Sequence, residues 1–369
     1  MAEWMAKERG EQGMPAPWRF YERMDRLRLR QGEWLDALGW GPRETPSRVL
    51  LRGPCLTLKG YPAAAADGPV VLLVPAPIKR AYIWDLAPGA SVVQACLERG
   101  LRPYVVQWEM PGEDAGLADY ADRFLRECIE AIAADCGTRR AVVAGHSLGG
   151  ILAAIFAALN PELVAGLVLL GAPLHFSPSA EQGALGPVVE RAGGVRELAT
   201  RLPPRVPGSL MTTAGFVASP MAFGRERWTD WWRSLLSLEA IKTHMQVERW
   251  TLDELPLAGR LVEDIVEQLY GADAFMAGTL SCGGRTAAAS RVTAPLLAVA
   301  QPRCPVVPPA AVLPFVAAAA SREKRMLWYE GDVGVAIQHV GLLVGHNAHA
   351  RLWPEIVDWI YAVWPGKLG

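Results

Sequence analysis

Gly145-His146-Ser147-Leu148-Gly149-Gly150 is the stretch of the chain whose residue types and spacing could do chemistry. It spells G-x-S-x-G between an apolar run at 141–144 and a helical pattern at 149–159. A sharp strand-to-helix turn of this kind holds its serine in a strained backbone and lifts the hydroxyl clear of the strand end. Small residues two before and two after let neighbouring backbone pass without collision. The helix N-terminus then aims N–H groups, that of Leu148 first, at a developing oxyanion. The chemistry this predicts is attack of the Ser147 hydroxyl on an acyl carbonyl.

A serine hydroxyl needs a base. His339, in AIQHVGLLVG, lies ten residues after Tyr329, past the last strand pattern, where a base that follows its serine in chain order belongs. His146 sits inside the elbow, as local packing or at the substrate's edge. His175 follows the fourth strand pattern and could line the site, and His244 falls in a long helical stretch. His346 and His349 would share a face with His339 on one continuous helix. No carboxylate or fourth ligand has the matching spacing, so no metal is expected.

The acid that would orient His339 is harder to place. The loop after the strand pattern at 295–300 reads Gln301-Pro302-Arg303-Cys304-Pro305-Val306-Val307-Pro308-Pro309, without a carboxylate. Asp332, seven residues before His339, is the nearest substitute and Glu330 the next. A turn aspartate is an equally good reading of Asp332, and a Ser–His dyad oriented by a carbonyl or water is a further one. The second oxyanion donor is expected from the loop at 75–79. Pro75 and Pro77 have no N–H, which leaves Ala76 or Ile78, and Ile78 is preferred.

These groups need a sheet to hold them. Apolar runs at 70–75, 103–108, 141–144 and 167–170 alternate with helical patterns at 91–99, 117–135 and 149–159. Such alternation predicts an α/β fold with a mostly parallel sheet covered by helices on both faces. The alternation stops after residue 173 and resumes at 295–300 and 326–329, before a last helix at 353–363. The expected organisation is an N-terminal arm over 1–45 carrying a helix at 21–38, a core over 46–173 and 291–369, and a helical cap over 174–290. Trp228, Trp231, Trp232 and Trp250 fall in that cap. They would line an apolar acyl channel, with Trp228 and Trp232 against the substrate.

Composition removes several classes. Of 369 residues, 51% are hydrophobic and 20% charged, which excludes a disordered chain. The formal net charge of -1 gives no basic excess for nucleic acid. No apolar run reaches the ~18 residues of a membrane span. Residues 1–34 mix both charge signs and lack an apolar core, so no secretory signal is read there. The six cysteines are scattered without a C-x-x-C pair, which predicts neither a disulfide framework nor a zinc site, and a reducing cytoplasm.

Taken together, several segments resemble the polyhydroxyalkanoate synthase family of the α/β-hydrolase superfamily. They are VPAPIKRAYIWDLAPGASVV (74–93), QWEMPGEDAGLADYA (107–121), the GHSLGG elbow, VERWTLDELPLAG (247–259), PVVPP (305–309) and QHVG (338–341). They occur in the family's order across residues 46–364. The resemblance implies an α/β-hydrolase fold with a helical cap, and His339 as the base.

Two departures redirect the implied activity. The family has a cysteine nucleophile where this chain has Ser147, and an aspartate two residues before Val-Val-Pro where it has Cys304. A serine acyl-enzyme is an oxyester, which points to an esterase, thioesterase or single acyl transfer rather than polymerisation. An ordinary thiol, with a pKa near 8.5, is mostly neutral at pH 7 and makes a poor substitute for the carboxylate. The expected substrate is a small acyl ester or thioester, with acyl-CoA and 3-hydroxyacyl groups implied by the resemblance. No cofactor is expected, and a homodimer is compatible with this reading. The alternatives are a polymerising synthase that uses acyl-CoA and a non-catalytic relative that binds acyl chains or a storage granule.

Overall fold

Strands without polar alternation belong where both faces are covered. VVLLV forms β3 (Val70–Val74), AVVAGH forms β5 (Ala141–His146), VAGLVLL forms β6 (Val164–Leu170) and LLAVA forms β7 (Leu296–Ala300). Every residue of these four is buried. Alternate residues feed two apolar layers: Val70, Leu72 and Val74 pack on one side of the sheet, Val71 and Leu73 on the other.

These features come from a computed structural model that describes residues 16–63, 67–110, 112–176, 193–218 and 220–366. β1 (Arg48–Arg52), β2 (Leu56–Gly60), β4 (Arg102–Trp108) and β8 (Lys324–Trp328) complete an eight-stranded sheet. Its order is β1-β2-β4-β3-β5-β6-β7-β8. β1 pairs antiparallel with β2, and β2 with β4; all other neighbours run parallel. The fold is therefore the mostly parallel α/β arrangement expected. The edge hairpin of β1 and β2 has no clear signal in the alternation: RVLLR and LTLKG are short, carry Arg48, Arg52 and Lys59, and have no helix between them.

Helix boundaries follow local chemistry. α1 spans Ala16–Ala37, five residues longer at its start than its pattern suggests. α2 (Val92–Glu98) starts where the Ser91 hydroxyl accepts the Gln94 N–H at 2.9 Å. α3 (Phe124–Cys136) is preceded by a π turn at Asp119–Arg123 and ends at Gly137, whose φ of 78° is the left-handed conformation a C-terminal glycine supplies. α4 is Leu148–Leu159. α3 and α4 supply one apolar layer; α2, α7 (Gln338–Val344) and α8 (Trp353–Val363) supply the other.

β6 and β7 are direct neighbours, yet more than a hundred residues separate them. That insertion includes α5 (Arg227–Ser234) and α6 (Leu238–Thr251). It also holds a two-residue ladder of Arg205–Val206 with Leu257–Ala258. Its start lies beside residues 177–192, outside the described residues, as do residues 1–15 of the segment read for a secretory signal. α1 packs on this insertion. Asp25 accepts the N–H groups of Gly208 and Ser209 at 3.1 and 2.7 Å. Asp36 forks with Arg249, both bonds 2.7 Å. No described helix is long and apolar enough to cross a membrane, and all six cysteines are free.

Candidate active site

Ser147 stands between the end of β5 and the start of α4 at φ 55°, ψ -127°. A non-glycine residue there costs on the order of 1–3 kcal/mol, held only if the surroundings fix it. The surroundings do: the Ser147 N–H donates to the Leu170 carbonyl at 3.0 Å, and its own carbonyl accepts from Gly150 at 2.9 Å. The glycines make room for the turn. A Cβ on Gly145 would lie 2.5 Å from the Gly149 oxygen, and one on Gly149 would lie 2.1 Å from the Val74 oxygen. One on Gly150 would lie 2.4 Å from the Ala172 Cβ.

His339 lies in the first turn of α7 and is only 8% exposed. The elbow meets it directly. The His146 Nε2–H donates to the His339 carbonyl at 2.9 Å, and the two rings lie 4.5 Å apart. A carbonyl can only accept, so His146 carries its proton on Nε2. His146 is itself buried, and burial lowers its pKa to about 4. Its Nε2 is spent on His339 and the side chain is buried, which favours the local-packing reading of His146 over contact with substrate. Burial, reinforced by the His146 ring, holds His339 well below the ordinary histidine range. His339 is therefore neutral at pH 7, the state a general base requires. Its Nε2 has no hydrogen-bond partner among the described residues. The Ser147 hydroxyl does not make that bond at rest; such bonds often close only around substrate.

The other ring nitrogen, Nδ1, faces Cys304. Sγ lies 3.9 Å from it, at the long end for a sulfur hydrogen bond. The Val307 N–H donates to the same sulfur at 3.3 Å. Burial pushes the Cys304 thiol up, against the opposing pull of the Val307 and Val306 N–H groups. Cys304 thus occupies the acid's place as a neutral thiol.

Asp332 does not reach the imidazole, which corrects its expected role as the triad acid. Its carboxylate accepts from Tyr329 OH at 2.8 Å, Asn347 N–H at 2.8 Å and Ala348 N–H at 3.2 Å. Its backbone is clamped by the Gln338 amide, which accepts from Asp332 N–H at 3.0 Å and donates to its carbonyl at 2.7 Å. Asp332 is a connector that ties the end of β8 to the chain after α7. That chain breaks at Gly345, so His339, His346 and His349 do not share one helix face. His349 Nε2 is bound to the Leu343 carbonyl at 2.8 Å.

The loop after β3 is pinned from three sides. Trp108 Nε1 donates to the Pro75 carbonyl at 2.8 Å, and Leu255 N–H to the Ile78 carbonyl at 3.1 Å. Trp250 Nε1 donates to the Arg80 carbonyl at 2.8 Å. The Ile78 carbonyl is thus tied down, and Leu148, opening α4, has an N–H with no intrahelical acceptor. Lys79, mostly buried in the same loop, is paired with Glu254 at 3.0 Å, and desolvation lowers its pKa to about 8. Arg28 of α1 reaches the other Glu254 oxygen at 3.1 Å. The ERWTLDELP stretch is therefore the brace of this loop.

Trp228 and Trp232 are not gathered around Ser147. They are 64% and 54% exposed and meet edge to face at 5.7 Å. Trp228 borders a groove of about 440 Å³ with Leu35, Trp231 and His244, which does not reach Ser147. The structure also holds a His–Asp pair that the sequence does not signal. His175 Nδ1 lies 2.7 Å from Asp273, which is 98 residues away in the chain, beyond any local spacing rule.

Comparisons with known proteins agree with the fold. A family described as alpha/beta hydrolase fold matches residues 98–214. A poly(3-hydroxyalkanoate) polymerase subunit of Haloferax mediterranei is 27% identical across 86% of this chain, which spans 64% of that protein's length. A subunit of the same name from Thiocystis violacea is 23% identical over 88% of this chain and 90% of its own. Among solved structures, Paleococcus ferrophilus monoacylglycerol lipase aligns with a TM-score of 0.53 at 15% identity, covering 84% of this chain and 99% of that one. A soluble variant of Saccharomyces cerevisiae monoglyceride lipase gives 0.53 at 11%, covering 88% and 95%. Likeness to these two structures shows the fold alone. The chain has the α/β-hydrolase fold and resembles the poly(3-hydroxyalkanoate) polymerases.

Proposed function

We propose that this chain forms an acyl-enzyme at Ser147 and hydrolyses or transfers the acyl group of a small ester or thioester. The carrying observation is a strained, partly exposed Ser147 whose neighbour His146 lies ring to ring with His339 at 4.5 Å, and a neutral, buried His339 whose Nε2 is unspent. Ser147 attacks the carbonyl, and His339 Nε2 takes the hydroxyl proton. The N–H groups of Leu148 and Ile78 hold the oxyanion. The leaving group takes the proton back from His339, and water or an alcohol then repeats the sequence in reverse. The insertion serves as a cap that braces the oxyanion loop. The names of the polymerase relatives support a 3-hydroxyacyl group, and six free cysteines support a cytoplasmic setting.

The experiment is labelling with a fluorophosphonate probe. Labelling lost in Ser147→Ala and strongly reduced in His339→Ala supports the reading. A folded parent that does not label sinks it and favours the non-catalytic alternative, which the neutral Cys304 thiol supports.

A second reading, a polymerising acyltransferase using acyl-CoA, is favoured by the polymerase names of the aligned relatives. Coenzyme A release accompanied by growing polymer would support it. Release matched one-to-one by free acid would exclude it.

A further inference from the structure

One carboxylate of the insertion grips the backbone that leads into His339. Asp230, on α5, is 6% exposed. Its Oδ1 accepts the Gly334 N–H at 2.9 Å and its Oδ2 the Ala336 N–H at 2.7 Å. His244 Nδ1, on α6, donates to Oδ2 at 2.9 Å. The opposite nitrogen of His244 lies 3.5 Å from Glu248, which in turn is paired with Arg227. The Trp231 ring packs against His244 at 5.2 Å.

The backbone so held is out of the ordinary. Ala336 has φ 57°; among the described residues only Ser147 and Asp273 share a positive φ without being glycine. Gly334 has φ 83°, and a Cβ on it would lie 2.4 Å from the Ala240 oxygen of α6. Ile337 caps α7, and His339 follows in its first turn. Without the carboxylate, two N–H groups lose their acceptors, and no other described side chain takes their place in holding Ala336 in the left-handed region. Its return to negative φ would swing the start of α7, and the imidazole with it.

We propose that Asp230, held by His244, is a positioning residue for His339, so that the docked insertion sets the angle of the base. Asp230 touches no reacting atom. The inference rests on His339 being the base for Ser147. It places the coupling between insertion and catalysis in one buried side chain rather than in substrate contacts.

The test uses the full chain and acylation by p-nitrophenyl butyrate, with kcat and KM measured separately. Asp230→Asn keeps one accepting oxygen and cannot serve both N–H groups. Its kcat should fall 10- to 100-fold with KM within twofold. Ala336→Gly, which carries φ 57° without a Cβ, should restore several-fold of that loss in the double variant, a rescue that a purely global destabilisation would not give. Parent-like kcat in folded Asp230→Asn overturns the inference. If Asp230→Asn does not fold, His244→Gln decides: a kcat loss of threefold or more at unchanged KM supports it, and an unchanged kcat overturns it. Retained acylation in His339→Ala would instead mark failure of the functional reading beneath it.

Discussion

Cys304 Sγ faces His339 Nδ1 at 3.9 Å, in the place where a serine-nucleophile site would hold its carboxylate. The Val307 N–H already points at that sulfur from 3.3 Å. The position is thus equipped to stabilise an anion and holds a neutral group. In the proposed mechanism, where His339 takes the Ser147 proton, no charge opposite Nδ1 would stabilise the imidazolium.

Cys304→Asp should therefore raise turnover of p-nitrophenyl esters, by about 10²–10⁴ if the missing carboxylate is the chief deficit. A carboxylate beside the ring favours its charged form, so the His339 pKa should rise and the acid limb of kcat/KM should move to higher pH. A folded variant with an unshifted profile would show that residue 304 does not address the imidazole.

The reverse holds for Asp332. Its oxygens serve Tyr329, Asn347 and Ala348. Asp332→Asn should cost about 1–3 kcal/mol in urea unfolding, because part-buried donors lose an acceptor. Acylation should stay within about threefold of the parent, since no orientation of His339 depends on it. A loss of orders of magnitude at near-parent stability would return Asp332 to the mechanism.

What can be read from the sequence divides along a physical line. The elbow is legible because G-x-S-x-G gathers its small residues within six positions, whatever neighbouring backbone they clear. The sheet is legible because unbroken apolar runs such as 70–74 and 167–170 fit few other places. Asp332 misleads because seven residues looks close, whereas hydrogen bonding to Asn347 and Ala348 turns its carboxylate past the histidine. α5 misleads more deeply. Trp228 and Trp232, four apart, face solvent, while Asp230 and Ser234, also four apart, are buried. A helix that grips backbone N–H groups buries its polar side, so apolar residue type points the wrong way. The contacts of Asp230 with Gly334 and Ala336 cross about a hundred residues, and no spacing rule reaches that far.

His146 gives stability a pH dependence of definite sign. Its pKa is about 4 in the fold against 6.5 for the ordinary residue. Between those values the unfolded chain binds the proton and the native one does not. Its contribution is complete above pH 6.5 and is lost as pH falls toward 4. From pH 7.5 to 5 this amounts to about 2 kcal/mol. His146→Phe should start less stable at pH 7.5, having lost the bond to the His339 carbonyl, and should lose less on acidification. Parallel urea-stability curves for the two proteins between those pH values would refute this.

The elbow predicts the sharpest contrast between two glycine substitutions. In Gly145→Ala the new methyl meets the Gly149 oxygen at 2.5 Å and the Gly150 Cα at 2.6 Å. Both are backbone atoms of the turn that holds Ser147, so relief must come from moving Ser147. The variant should lose about 1–3 kcal/mol or more and with it fluorophosphonate labelling. Gly224, in a helical turn of the insertion, has ordinary φ, and a Cβ added there would meet nothing within 4 Å. Gly224→Ala should be neutral or stabilising, by up to about 0.4–1 kcal/mol, through the unfolded chain alone. Equal stability and equal labelling in the two variants would mean that close packing at Gly145 does not hold Ser147 in its strained conformation.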